Sequence, residues 1–203
     1  MEAGGSLREA LRTGLGLIPH PEGGYFRETW RAGAEPMASR GEVDPRGDTV
    51  TVNAKVRNTL TSIYWMVTRE APVGYWICNA SDHVHYWHGG GALTYHVVDP
   101  ATGAYTRAVL GPDAHAGEVL QFPVRGGHWK AAELSVGGGG GAHPHDFCLI
   151  GEAVAPGWDS ADFRWGTAAE LEALAGAHVF APLAHLVKPD AAPRDFAATY
   201  AAA

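Results

Sequence analysis

Between residues 59 and 154 the chain consists of short segments rich in Val, Ile, Thr and aromatic residues. Turn sequences such as HGGG, DPATG, GPDAHAG and VGGGGGAHP separate these segments. Many short strands at close spacing are typical of a β-sandwich or β-barrel. The strands that this pattern predicts cover residues 59–68, 73–79, 82–87, 93–98, 105–110, 119–122, 128–133 and 147–154.

Two short helices flank this β-rich region. Residues 6–15 form an amphipathic pattern that Ser6 can cap, with Glu9 three residues later. Residues 168–175 (AAELEALA) predict a second helix, with Thr167 as its N-cap. The sequence therefore predicts an all-β dominated domain with short flanking helices.

Other stretches are polar or of low complexity. Residues 31–58 carry Gly, Pro and charged residues and predict a long loop with a short strand at 48–52. Residues 191–203 are rich in Ala, which favours partial disorder in this tail. We therefore expect one domain over residues 1–190.

Charge and composition narrow the classes of function. The 203 residues include 15 Lys and Arg against 22 Asp and Glu, a net charge of −7 that argues against a nucleic-acid surface. No apolar run is long enough for a membrane helix, and two cysteines do not make a secreted disulfide framework. We expect no transit peptide, a cytoplasmic location, and no nucleic-acid or membrane partner.

Four stretches carry a resemblance to a known family. They are LGLIPHPEGGYFRETW (15–30), TSIYWMV (61–67), SDHVHYWHGGGAL (81–93) and VAPGWDSADFRWG (154–166). Together they resemble the cupin superfamily, specifically its domain-of-unknown-function 985 family, over about residues 7–188. The resemblance implies a jelly-roll β-barrel, a homodimer and a small-molecule ligand, with no assigned activity.

The resemblance also bears on metal binding. Metal-binding cupins place two His and a Glu at i, i+2 and i+6, and these positions fall here on Ile77, Asn79 and His83. A further His of the second motif falls on or near Lys130. Ile cannot bind a metal and Lys is a poor ligand because its amine stays protonated near neutral pH. We therefore expect no standard cupin metal site and no cofactor.

A non-standard divalent transition-metal site is the alternative. His83 and His85 share one face of their strand with Trp87, and two imidazoles spaced in this way suit such an ion. Without an ion, the same histidines would be buried, hydrogen-bonded pocket residues. Additional ligands would come from Asn79, Asp82 or the loop that carries His143 and His145.

A metal-free chemistry follows from the same residues. His83 or His85 would act as general base, since the pKa of histidine lies near neutral pH. Lys130 would stabilise an oxyanion if it points inward, and would be a solvated strand residue if it does not. Tyr64 or Tyr75 would act as acid. This set is similar in kind to the His/Lys/Tyr site of the cupin-type sugar-nucleotide 3,5-epimerases.

The remaining candidates are ligand-binding residues. Arg27 suits bidentate binding of a carboxylate or phosphate, or an ion pair with Glu28, Glu22 or a dimer partner. The expected pocket lining also includes Asn79 and the aromatic residues Tyr64, Trp76, Trp87 and Trp129. We expect an isomerase or epimerase acting on a small polar, carbohydrate-like molecule. The alternatives are a non-enzymatic small-ligand-binding protein and a metal-dependent oxygenase or isomerase.

Overall fold

A computed structural model describes residues 6–32, 49–52, 55–135 and 145–189. Two antiparallel sheets carry most of these residues, with order β1-β2-β5-β12-β7-β10 in one and β13-β6-β11-β8-β9 in the other. The strands are β1 (Ile18–Pro19), β2 (Tyr25–Arg31), β3 (Thr49–Val52), β4 (Lys55–Asn58), β5 (Thr61–Thr68), β6 (Val73–Asn79), β7 (Asp82–Gly90), β8 (Leu93–Val98), β9 (Tyr105–Leu110), β10 (Gln121–Val124), β11 (Trp129–Leu134), β12 (Phe147–Ala155) and β13 (Phe163–Trp165).

The inner faces of the two sheets form the main core. Because side chains alternate along a strand, every second residue of a strand points into the space between the sheets. Trp65 and Ile150 come from the six-stranded sheet, and Leu93 and Tyr95 come from the five-stranded one. The buried members of this core are Phe26, Trp65, Val67, Leu93, Tyr95, Leu110, Ala132, Leu134, Cys148 and Ile150.

Helices cover the outer faces of both sheets. Helix α1 (Leu7–Gly14) supplies Leu11 to a cluster with Met66 and Leu149 of the six-stranded sheet. Helices α2 (Ala168–Ala175) and α3 (Ala177–Phe180), with the 3-10 turn Ala181–Leu186, cover the five-stranded sheet. The chain therefore buries apolar residues on both faces of these sheets.

The prediction of an all-β dominated jelly-roll with short flanking helices is confirmed. The predicted bounds of β6, β8, β9 and α2 agree with the structure. Ser6 and Thr167 cap their helices by accepting hydrogen bonds from Glu9 N and Glu170 N.

Other predicted elements differ in their bounds; the predicted strand 82–87, for example, continues to Gly90. The predicted strand 119–122 begins two residues later, because Val119 instead forms an isolated bridge with Leu110. Within the predicted 31–58 loop, β3 and β4 form a hairpin in which Val50 pairs with Arg57, so the loop prediction is wrong for residues 55–58. The rest of that loop from 33 to 48, and the tail at 191–203, lie outside the described residues. In the described part of the chain, no helix has the length and apolar character needed to cross a membrane.

Candidate functional site

A cleft of about 650 Å³, including its open mouth, lies between the two sheets. Two histidines, a lysine and a glutamate in its wall are buried: His83 is 4% exposed, His85 1%, Lys130 7% and Glu152 8%. Ionisable side chains are rarely buried to this extent unless they are paired. The cleft is therefore the candidate functional site.

Strand register brings these four side chains together. His83 and His85 are two residues apart on β7, so both face inward. Glu152 on the neighbouring strand β12 lies directly opposite His85. Lys130 comes from β11 of the facing sheet and reaches across to them. The cluster therefore rests on three strands rather than on loops.

The Lys130 ammonium lies at the centre of the cluster. Its Nζ is 2.5 Å from Glu152 Oε1, 2.8 Å from His83 Nδ1 and 3.1 Å from His85 Nε2. Glu152 Oε1 in turn contacts His83 Nδ1 and lies 3.2 Å from His85 Nε2. The ammonium, the carboxylate and the two imidazoles thus form one buried cluster.

Hydrogen-bond partners determine the state of one imidazole. His85 Nδ1 lies 3.0 Å from the carbonyl oxygen of Phe122, which can only accept. Nδ1 therefore carries the proton of the neutral ring, and His85 Nε2 accepts a hydrogen bond from Lys130. His83 Nε2, in contrast, is buried and has no hydrogen-bond partner among the residues that the structure describes.

The electrostatics of the cluster favour one ion pair and two neutral rings. Burial opposes ionisation of Glu152, but Lys130 and the two imidazoles outweigh it and hold the pKa of this carboxyl well below its usual range. Burial, followed by the charge of Lys130, lowers the pKa of His83 to about 4 against the opposing effect of Glu152. His83 is therefore neutral at pH 7.

The HPEGG turn brings a second pair of ionisable groups to the cleft. Gly23 and Gly24 adopt φ values of 107° and 69°, a region that favours glycine. His20 and Glu22 line the cleft as a result, and Glu22 N donates to His20 Nδ1 over 3.2 Å. Trp65 Nε1 donates to the carbonyl oxygen of Gly23 over 2.8 Å and holds the turn on β5.

The cleft shifts the pKa values of this second pair in opposite directions. Burial raises the pKa of Glu22 to about 8, with Glu152 adding to the shift and Lys130 and Lys188 opposing it. Burial lowers the pKa of His20 to about 3. At neutral pH, Glu22 is therefore a protonated acid and His20 is uncharged.

A metal ion and the Lys130 ammonium compete for the same three atoms. Ligand atoms of His83, His85 and Glu152 lie within 4.8 Å of one another, and two imidazoles with a carboxylate suit a transition metal. An ion about 2.1 Å from Glu152 Oε1 would lie less than about 5 Å from Lys130 Nζ, so two positive charges would repel each other in a buried site. With Lys130 in place, the residues do not fit a metal ion.

Three of the sequence-predicted catalytic residues meet in the cleft. His83, His85 and Lys130 converge as described, and Lys130 is buried rather than solvated. Tyr64 does not join them: it lies on the outer face of β5, 5.7 Å between ring centroids from His88. The expectation that Tyr64 lines the pocket is wrong, because alternation places it opposite Ile63 and Trp65, which do line it.

Trp76 and Trp129 also lie on the other side of their sheet. Both are buried beneath the C-terminal helices in a cluster with Leu171 and Leu186. They are sequence neighbours of the cleft residues Ile77 and Lys130, so alternation turns them away from the cleft. Their predicted place in the pocket lining is therefore wrong.

Arg27, Trp87 and Asn79 are likewise absent from the cleft lining. Arg27 is exposed and donates to the carbonyl oxygen of Leu15 over 3.1 Å. Trp87 faces inward but packs against the main core. Asn79 accepts a hydrogen bond from Ser81 N in the turn after β6. The structure therefore places these three residues outside the lining of this cleft.

The additional metal ligands suggested by the sequence do not reach the cluster. Asp82 is exposed and accepts a hydrogen bond from Gly126 N over 2.7 Å. His145 is exposed and packs on Phe147. His143 lies outside the described residues.

Sequence reasoning missed Glu152, and with it the partner of Lys130. A signal was present, since Glu152 is the single charged residue in the apolar strand FCLIGEAVA and shares the face of Ile150 and Val154. His20, Glu22 and Tyr95 also line the cleft, and sequence reasoning did not place them there.

Comparison with known proteins agrees with this fold. The family model "Cupin superfamily (DUF985)" matches residues 9–166. The uncharacterised protein YML079W of Saccharomyces cerevisiae is 34% identical over 171 residues, 84% of this chain and 81% of that protein. A hypothetical protein from Leishmania major has a TM-score of 0.69 at 29% identity, covering 84% of this chain and 93% of that one. A Shewanella oneidensis protein has a TM-score of 0.67 at 28% identity, covering 90% and 98%. This chain therefore belongs to the DUF985 family of the cupin superfamily.

Proposed function

We propose that the protein is a metal-independent enzyme of the isomerase or epimerase type, which removes a proton from a small polar, carbohydrate-like molecule and returns one. The observation that carries this proposal is the buried Lys130–Glu152 ion pair beside His83, whose Nε2 is unpartnered in the described part of the chain. Such a set supplies a base and a fixed positive charge in one cleft.

His83 is the base in this proposal. When its Nδ1–H donates to Glu152, Nε2 keeps a free lone pair. A carboxylate that orients an imidazole through Nδ1 is the arrangement by which many hydrolases hold their histidine base. The side chain is 4% exposed, so its orientation is set before any substrate binds.

Lys130 stabilises the charge that proton removal creates. As a carbon next to a carbonyl group loses its proton to His83, the electron pair moves onto the carbonyl oxygen. With the His83 proton on Nδ1, that atom cannot accept from Lys130. Lys130 therefore donates two of its N–H groups to Glu152 and His85 and keeps the third for this oxygen. A fixed, buried ammonium stabilises an enolate oxygen strongly.

Glu22 returns the proton. Its raised pKa, about 8, keeps the carboxyl protonated at neutral pH, whereas that of His83 leaves the imidazole unprotonated. Two groups of one cleft with pKa values shifted apart suit the roles of acid and base. After the carbon takes its proton from Glu22, exchange with solvent restores both groups.

The cleft walls favour a ligand with both a polar edge and an apolar face. Trp65, Tyr75, Tyr95 and Trp158 line the cleft together with aliphatic side chains such as Ile77. Aromatic rings pack on the C–H faces of sugar rings, while the buried polar groups bind hydroxyl and carbonyl oxygens. The ligand class that these walls suit is a monosaccharide or a derivative of similar size.

Proton exchange in D₂O tests the proposal directly. Neutral pentoses, hexoses, uronic acids and their lactones are first screened for those that raise the Tm of the untagged protein. Each ligand found is incubated with the protein in D₂O, and ¹H NMR follows exchange at the carbon next to the carbonyl group. We expect exchange that His83→Gln reduces by at least about 100-fold while the ligand still binds.

His88→Gln is the matched control, because His88 lies on the exposed outer face of the same strand. We expect this variant to exchange at the native rate. Ligands that bind without any exchange or product would indicate a non-enzymatic binding protein, the second function that such a cleft allows. Exchange that persists unchanged in His83→Gln would refute the assigned base.

A further inference from the structure

The geometry around Lys130 points to a latent divalent-metal site: we infer that His83, His85 and Glu152 form the ligand set of a transition-metal ion, and that the Lys130 ammonium keeps this set closed. The inference shares Lys130 with the proposed function but does not depend on it, because it concerns which cation the three side chains hold. In this inference the Lys130 ammonium excludes a metal ion from the three side chains, a role that proton transfer does not require.

The three ligand atoms are already assembled around a cation. Nζ of Lys130 contacts His83 Nδ1, His85 Nε2 and Glu152 Oε1, at 2.8, 3.1 and 2.5 Å. These atoms belong to the same three residues whose ligand atoms lie within 4.8 Å of one another. A zinc-like ion binds nitrogen and oxygen at about 2.0–2.2 Å, so small side-chain movements would close the set on a metal.

The surroundings of the cluster support metal binding as well. His85 Nδ1 donates to the carbonyl oxygen of Phe122, which directs the Nε2 lone pair toward the cluster. A hydrogen bond of this kind typically orients a metal-binding histidine. His83 would bind through Nδ1 after its proton moves to Nε2, a change between two neutral tautomers.

Charge explains why Lys130 and a metal ion exclude each other. One carboxylate and two neutral imidazoles carry a single negative charge, which the ammonium balances. A divalent ion added beside the ammonium would leave two net positive charges in a cluster whose residues are all less than a tenth exposed. Removal of the ammonium leaves a buried anionic group of ligands, with which a divalent ion would carry one net positive charge instead of two.

Cobalt binding tests the inference without any assay of activity. Untagged native protein and the Lys130→Ala variant are dialysed against EDTA, equilibrated with CoCl₂, and analysed for bound metal and visible absorption. We expect about one equivalent of Co²⁺ with d–d absorption bands in the variant, and less than about a tenth of an equivalent in the native protein. Co²⁺ should also raise the Tm of the variant and leave that of the native protein unchanged.

Two further variants identify the ligands. Lys130→Ala combined with Glu152→Gln removes the carboxylate and should lose the bound Co²⁺. Lys55→Ala removes an exposed lysine on β4 and should bind no more metal than the native chain. Lys130→Ala leaves Glu152 buried without a counter-ion, so Lys130→Gln serves as a second variant without the ammonium; we call both opened variants. Refolding of either opened variant in CoCl₂ should restore the native circular dichroism spectrum.

Three results would overturn the inference. The first is a native protein that binds about one equivalent of Co²⁺ and loses it in His85→Gln, since the ammonium would then not exclude the ion. The second is an opened variant that folds and binds no more metal than the native chain. The third is metal in the opened variants that survives loss of Glu152. None of these results depends on whether the protein transfers protons.

Discussion

Lys130 Nζ and Glu152 Oε1 lie 2.5 Å apart between the two sheets, although Lys130 belongs to one sheet and Glu152 to the other. Both side chains are about nine-tenths buried. The pair therefore links the two sheets across the cleft. Its two members should be far more costly to lose one at a time than together.

We expect Lys130→Met to lower the free energy of unfolding by about 3–5 kcal/mol, and Glu152→Leu to lower it similarly. Each variant leaves one charge buried without its partner. The double variant should recover much of this loss, and urea unfolding of all four proteins gives the coupling energy.

The exposed pair Arg164–Glu170, with Nη1 and Oε1 3.1 Å apart, is the matched control and should show a coupling energy below about 1 kcal/mol. Equal coupling energies for the buried and exposed pairs would show that burial contributes nothing to the strength of the Lys130–Glu152 pair.

Glu22 should make stability depend on pH above the ordinary range of carboxyl groups. Its pKa is 4.5 in an ordinary setting and about 8 in the cleft, so the folded chain binds more protons than the unfolded chain between these values. Stability contributed by this group is therefore present at low pH and is lost as the pH rises toward about 8.

Glu22→Gln should thus gain stability relative to the native protein as the pH rises from about 5 to about 8, by about 1–3 kcal/mol because the half-buried carboxyl is partly solvated. Urea unfolding at several pH values measures the difference. The groups that act on Glu22, namely Lys130, Glu152 and Lys188, remain in the variant, so the difference isolates Glu22. A difference that stays constant with pH would contradict the raised pKa.

Local sequence pattern accounts for much of the fold. The bounds of β6, β8 and β9 follow from turn residues at both ends, and the caps at Ser6 and Thr167 follow from side-chain chemistry within three residues. These features depend on neighbours in the chain, which a single sequence displays directly.

The site was less predictable because it depends on distant pairings. Alternation along β6 and β11 divides Trp76 from Ile77 and Trp129 from Lys130, but it does not say which face meets the cleft. Helices cover the outer face of this sheet, so both faces are apolar and aromatic residues occur on each. Lys130 and Glu152 meet across 22 residues and two sheets, a contact that no local pattern displays.

The HPEGG turn should tolerate no side chain at Gly23. Its φ of 107° disfavours other residues, and a Cβ there would collide with the carbonyl oxygen of Val73. We expect Gly23→Ala to lower stability by more than about 2 kcal/mol and to weaken ligand binding, since the turn places Glu22 in the cleft.

Gly14→Ala is the control for this turn, because a Cβ at the end of α1 meets no atom within 4 Å. Thermal unfolding should show the control at or slightly above native stability. A Gly23→Ala variant that unfolds at the native temperature would show that the turn does not need its left-handed conformation.

Tyr95 should separate the stability of the fold from the binding of a ligand. It is 2% exposed and lines the cleft, and its hydroxyl is buried with no hydrogen-bond partner among the residues that the structure describes. Burial, with the negative charge of Glu152 second, raises the pKa of this phenol well above its usual value, so the hydroxyl keeps its proton and can donate to a ligand oxygen.

In Tyr95→Phe, loss of an unpaired buried hydroxyl should leave the free energy of unfolding unchanged or raise it by up to about 1–2 kcal/mol. The same variant should bind the ligand selected by the thermal-shift screen about 10-fold more weakly, because one hydrogen bond to it is lost. Urea unfolding and calorimetric titration of the same samples measure both effects, and a variant that is destabilised yet binds with native affinity would show that the hydroxyl serves the fold and not the ligand.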